Sequence, residues 1–423
     1  MDDNIKDLRF AEMDESGEWM VTEVDILQKM LKRYEVFTDG QLCEYVLGYL
    51  REKSGNKPLR AYFCRKMYDY IDYAMGQPGD AIFRAQKRQL FYIKLAFVFE
   101  IVIVIQYLHN HILDEKHEVR RHQYQKVNQN LIASNILREL LFLYLYQEVK
   151  PLLNSEAQID TLHRHISKLL LVVDIGQRLD KDYNHYLRWV KPQEFPELLP
   201  DRYLFKPFVR ECLQPFIDQV IEEVPCETEE EQRNYAGRVA FIEGYFQRTY
   251  LTGTCFFETI TLTVISLVGY SGIEQKMLRR FAIQYHTIIQ IINDYADFAY
   301  SPDEERRKFL KTAGKKTTDL FADLYNFNIT LPLIYHLLEG QGVKRKIEAY
   351  LKGGQKRRKI IDQYPQQVME EIIKSGAIRK CMALSRQVSK SARICLDIRN
   401  PTTQYFINMC DMAMDNKFYR IFK

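Results

Sequence analysis

Oxygen-bearing side chains interrupt an oily background at two places in this 423-residue chain. In QIINDYADF, Gln290 to Phe298, the apolar residues Ile288, Ile289, Ile291, Ile292 and Tyr295 recur at helical spacing, which puts Asn293 and Asp297 one turn apart with Asp294 beside them. Two carboxylates and an amide at i, i+1 and i+4 suit a hard cation such as Mg²⁺, which keeps several waters and draws further ligands from a substrate phosphate. A capped or solvated helix face is the plain alternative for this segment taken alone. HNHILDEKHEVRR, His109 to Arg121, repeats the spacing with Asn110, His111 and Asp114, and Arg120 and Arg121 follow. Its histidines, His109, His111 and His117, raise a transition-metal site, but no cysteine accompanies them and the carboxylates are spaced, which speaks against structural zinc. The arginine pair suits diphosphate, because a guanidinium fork matches phosphate oxygens. Lys57 and Arg60, in SGNKPLR, stand at a helix start where free N–H groups favour anions; an ordinary basic helix start is the other reading.

The elements that must carry these residues are helices. Nearly every segment shows the 3.6-residue period, and Asp39–Gly40 is the one hairpin-type dipeptide, between helical segments. The class is therefore all-α. Helices are expected over about 23–51, 90–121, 128–148, 160–182 and 235–268, and again from 319 to the C-terminus, broken at 353–354, 376 and 400–401. Between 183 and 233 lie Pro192, Pro196, Pro200, Pro207, Pro215 and Pro225 and the acidic run Glu227–Glu231, which read as an insertion of short helices and loops on the surface of the bundle. Asp303 to Thr318 is charged and reads as a surface loop.

Composition excludes several classes. With 46% hydrophobic and 27% charged residues the chain is globular rather than disordered, and a net charge of +4 gives no support for nucleic-acid binding. The eight scattered cysteines contain no CxxC pair and read as free thiols of a cytoplasmic protein. MDDNIKDLRF is no secretory signal, and Leu95–Leu108, interrupted by Glu100, reads as a buried helix too short for a membrane span. No integral membrane segment is expected.

In order and context these motifs resemble the trans-isoprenyl diphosphate synthase (polyprenyl synthetase) family, from about Ser54 to Lys423. GNKPLR resembles its GKxxR element, HNHILDEKHEVRR its first aspartate-rich motif with trailing arginines, and NLIASNILRE the helix that follows. Gly176–Gln177 resembles its GQ, QIINDYADF its second aspartate-rich motif, and GKKTTD (Gly314 to Asp319) the GK loop. NITLPLI (Asn328 to Ile334) and SGAIRKC (Ser375 to Cys381) are similar to its last conserved helices.

The resemblance implies one isoprenoid-synthase helical bundle over 1–423 with an insertion at about 183–233. It implies Mg²⁺ held by Asn110, Asp114, Asn293, Asp294 and Asp297, with Asp114, Asp294, Asp297 and Lys315 as catalytic residues. Allylic and homoallylic diphosphates would meet Lys57, Arg60, Arg120, Arg121, Gln177, Thr252 and Gln290, and a prenyl tail would run past Ile105 and Gln106. A homodimer is implied by family alone. The expected activity is condensation of an allylic diphosphate with isopentenyl diphosphate; a terpene cyclase on the same fold and a non-catalytic regulatory subunit are the rivals. Departures motivate them. Asn110 and His111 replace two aspartates, Asn293 replaces another, Ile103 stands where many relatives place a histidine, and Leu251 takes the place of the lysine before Thr252, leaving Arg248 one turn earlier as the nearest cation.

Overall fold

The computed structural model of the protein describes residues 17–33, 45–48, 50–51, 59–75, 82–113, 120–183, 206–224, 235–272, 274–296, 330–338 and 371–414. In chain order the helices are α1 (Gly17–Arg33), α2 (Leu59–Ala74), α3 (Ile82–Leu113), α4 (Arg120–Tyr144), α5 (Glu156–Tyr183), α6 (Pro207–Glu222), α7 (Tyr235–Thr249), α8 (Cys255–Val268), α9 (Gln275–Ala296), α10 (Leu331–Leu338), α11 (Ala377–Ile394) and α12 (Thr403–Met414). No strand occurs among the described residues, so the all-α class holds. Packing resolves into two compact units: Met1–Leu171 with Thr259–Gln275 and Asn400–Thr402, and Val172–Glu258 with Lys276–Arg399 and Thr403–Lys423.

In the first unit α3 packs along α2 and α4, and α1 lies against both α3 and α4. Two charges inside the oily α3 have partners. Glu100, which breaks the hydrophobic run, is buried and its Oε1 accepts the Ala61 N–H at 3.0 Å, meeting one of the donors that the first turn of α2 cannot satisfy by itself. Lys94 Nζ lies 3.2 Å from Glu23 of α1 and 2.9 Å from Glu148, and the Tyr144 hydroxyl donates to Glu23. Buried charges persist when paired in this way.

In the second unit α6 packs on α7 and α11, and α10 on α11. α7 runs through a π-helical turn, Tyr250–Thr254, into α8, which passes at Thr259 into the first unit, where Gly269, at φ 70°, closes it in the left-handed conformation that glycine tolerates. The inner face of α6 is Val209, Cys212, Leu213, Phe216, Ile217 and Val220, all buried. The 183–233 stretch was expected on the surface, yet this part of it is core; its prolines obscure an i, i+3, i+4, i+7 apolar stripe. Pro207 opens the helix, where a missing N–H costs nothing.

Two further expectations need correction. The helix expected over 90–121 ends at Leu113, and Arg120 and Arg121 begin α4. The apolar stretch of α3 reaches Leu90–Asn110, and Ile242–Val268 is a second; both are long and apolar enough to cross a membrane by length and composition. Of their most apolar windows, 78% and 72% respectively are buried within the protein, as in the core helix of a globular fold.

Candidate active site

The second unit brings three of the expected diphosphate contacts onto elements that meet. α5 passes so close to the π turn that a Cβ on Gly176 would lie 2.7 Å from the backbone carbon of Leu251, and only glycine permits that approach. Two residues on, a Cβ on Gly253 would lie 2.1 Å from Cε1 of His286 on α9. Gln177 follows Gly176, Thr252 lies in the turn, and Gln290 is one turn beyond His286, so α5, the π turn and α9 converge where these three stand. Gln177 is buried; Thr252 and Gln290 are half-buried. The Thr252 hydroxyl donates to the Arg248 carbonyl at 2.9 Å, and Thr254 pairs with His286 Nδ1 at 3.0 Å. π turns of this kind often occur at functional sites.

Helix geometry separates the second triplet. Successive residues turn by about 100°, so Asn293 is exposed while Asp294 is 2% exposed. The Asp294 carboxylate accepts from Gln290 Nε2 at 2.8 Å, from the Tyr245 hydroxyl at 2.7 Å and from the Leu331 N–H at 3.1 Å. Burial, and then the neighbouring Asp294, hold the Tyr245 phenol well above its ordinary pKa, so it stays protonated and donates. Arg248, also buried, has its guanidinium carbon 5.6 Å from the centre of the Tyr245 ring. Leu251, at the expected lysine position, is buried.

The first triplet belongs to the first unit. Asn110 is half-buried near the end of α3, and Ile103, Ile105 and Gln106 are buried on the same helix. Ser134 donates to the Leu131 carbonyl at 2.8 Å, so its oxygen accepts from His109 Nε2–H at 3.1 Å, which removes that nitrogen as a metal ligand. Arg60, in the first turn of α2, has a buried Nε with no hydrogen-bond partner among the described residues. Lys57, Asp114, His117, Asp297 and Lys315 lie outside the described residues, as do the side chains of His111, Arg120 and Arg121.

The described donors do not by themselves fit a hard divalent cation. Asn110 and Asn293 are neutral, and three of the roughly four acceptor positions of the Asp294 carboxylate are taken by the protein. No group of three histidine, cysteine, aspartate or glutamate side chains is gathered among the described residues. Sequence reasoning missed Tyr245 and His286, which hold Asp294 and the π turn, and Gln247, whose buried Nε2 has no partner among the described residues. The available signal was their polarity, at helical spacing, on faces otherwise apolar.

No protein-family sequence model and no curated protein sequence matches the chain. Solved structures match it along nearly its whole length. A geranylgeranyl pyrophosphate synthase from Lactobacillus brevis is 13% identical, with a TM-score of 0.61 over 96% of this chain and 98% of the other. A decaprenyl diphosphate synthase from Rhodobacter capsulatus is 14% identical, TM-score 0.60, over 97% and 98%. A heptaprenyl diphosphate synthase from Staphylococcus aureus is 16% identical, TM-score 0.55, over 94% and 98%. The chain therefore has the all-α fold of the trans-isoprenyl diphosphate synthases.

Proposed function

We propose that the protein is a trans-prenyltransferase that condenses an allylic diphosphate with isopentenyl diphosphate. The observation that carries this reading is the end-to-end likeness to proteins named as prenyl diphosphate synthases, over 94% or more of this chain. The local structure supports it. Gln177, Thr252 and Gln290 stand on elements that converge, and the Arg60 Nε and the Gln247 Nε2 are buried donors of the kind that diphosphate oxygens satisfy.

In this reading Lys57, Arg60 and Arg121 hold the homoallylic diphosphate, while Arg120, Lys315, Gln177, Thr252 and Gln290 hold the allylic one. Positive side chains and fixed donors stabilise charge as it develops on the leaving diphosphate. The allylic carbon then bonds to the isopentenyl double bond, and the departing diphosphate takes the proton. Ile105 and Gln106, buried on α3, line the path assigned to the prenyl tail. Mg²⁺ belongs to the reading with Asp114 and Asp297 as its carboxylates; bound there it would neutralise diphosphate charge. A cytoplasmic homodimer completes the proposal.

One observation favours a second reading, a class I terpene cyclase on the same fold: Leu251 supplies no cation at the position of the expected lysine. Purified protein with Mg²⁺ and dimethylallyl, geranyl, farnesyl or geranylgeranyl diphosphate, with and without isopentenyl diphosphate, separates the two. Longer diphosphates formed only with isopentenyl diphosphate are expected. Hydrocarbons formed without it would establish the cyclase, and no turnover in any arm would leave the non-catalytic subunit. Lys57→Ala should raise the KM for isopentenyl diphosphate and leave ionisation of the allylic substrate intact.

A further inference from the structure

The second aspartate-rich stretch contains a carboxylate that the fold itself consumes. Asp294 joins three elements through one side chain: α9, which carries it and Gln290, α7 through the Tyr245 hydroxyl, and α10 through the Leu331 N–H, 37 residues later in the chain. Leu331 is the first residue of α10, so the carboxylate satisfies one of the N–H groups that the helix leaves open and sits at its positive end. Both oxygens are engaged, Oδ1 by Gln290 and Oδ2 by Tyr245 and Leu331, and the residue is 2% exposed. Arg248, three residues after Tyr245 and beside its ring, brings a compensating positive charge to the group. A metal ligand needs the opposite: an oxygen lone pair turned towards a space that the ion and its waters can occupy.

We propose that Asp294 is not a ligand but the joint that fixes the end of α9 to α7 and to the first turn of α10. The joint stands on the hydrogen bonds around Asp294, independently of the proposed function.

The test uses the full chain, with Mn²⁺ as the probe, alone and with inorganic pyrophosphate. Binding is read from the electron paramagnetic resonance signal of free Mn²⁺, and thermal unfolding is followed on the same samples. Asp294→Asn removes the buried negative charge to which Gln290, Tyr245 and the Leu331 N–H donate and replaces one accepting oxygen by NH₂, so it should lower the melting temperature by about 3 °C or more, with Mn²⁺ affinity within about two-fold of the parent. A ten-fold loss of Mn²⁺ affinity in Asp294→Asn would overturn the proposal, as would an unchanged melting temperature. Should Asp294→Asn not fold, Tyr245→Phe, which removes a single bond, must lower the melting temperature without changing Mn²⁺ affinity; any other result overturns the joint. If the parent binds no Mn²⁺ even with pyrophosphate, the metal assigned under the proposed function fails, and the joint is then decided by the melting temperatures alone.

Discussion

Two glycines show how closely the candidate site is packed. Gly176 lets α5 reach the backbone of Leu251, and Gly253 lets the π turn reach His286; at neither position does a side chain have room. Gly176→Ala should therefore force α5 and the turn apart, at a cost of about 1–3 kcal/mol, read as a lower urea midpoint. A half-buried imidazole makes a separate prediction. Thr263 donates to the Thr259 carbonyl, so its oxygen accepts from His165 Nδ1–H at 3.0 Å, and burial, helped by Lys168 and Arg164, holds the His165 pKa below its ordinary 6.5. A lowered pKa means that the unfolded chain binds more protons below pH 6.5 than the folded one, so this residue's contribution is full above that pH and is lost as the pH falls through the lowered value. The melting temperature should drop between pH 7 and pH 5, and His165→Asn should flatten that slope.

Between elements, charges placed inside apolar helices act as fasteners. Lys94 ties α3 to Glu23 of α1 and to Glu148, which follows α4. Lys94→Met would leave two carboxylates without their cation, one of them buried, at a cost of about 3–5 kcal/mol. Adding Glu23→Met should recover part of the loss, because removing both charges is less costly than leaving one alone; chemical denaturation of the three proteins checks the order. Glu100 plays the same part for α2, so Glu100→Ala should cost about 1–3 kcal/mol through the Ala61 N–H it leaves unmet.

Across the molecule, the thiols report on burial. Cys64, Cys212, Cys255, Cys381, Cys395 and Cys410 are free and buried. Desolvation raises the pKa of every one, to about 11 for Cys212 and Cys395 and about 12 for Cys410. A thiolate is the reactive form, so alkylation of these six at pH 8, followed by peptide mass mapping, should proceed only as fast as the protein unfolds. Rapid labelling of any of them in the native protein would contradict the burial described.

The helical class and the order of the motifs were legible because both depend on short-range information: the 3.6-residue period sets α3, α5 and α9, and motif spacing sets which residues can share a turn. The π turn inside the 235–268 helix was not legible, and neither were the close approaches of α5 and α9 to it, which come from elsewhere in the chain. Neither was the buried face of α6, which composition hid behind prolines. The clearest divergence lies in QIINDYADF. Periodicity placed Asn293, Asp294 and Asp297 together on one stretch of helix, but whether an oxygen faces a ligand or the interior depends on what packs against it. Tyr245 and Leu331, 49 and 37 residues away, supply the donors that occupy Asp294. Sequence alone determined that Asn293 and Asp294 lie on one helix; only tertiary packing decided which of them the protein had already used, because a hydrogen bond between distant residues leaves no local period.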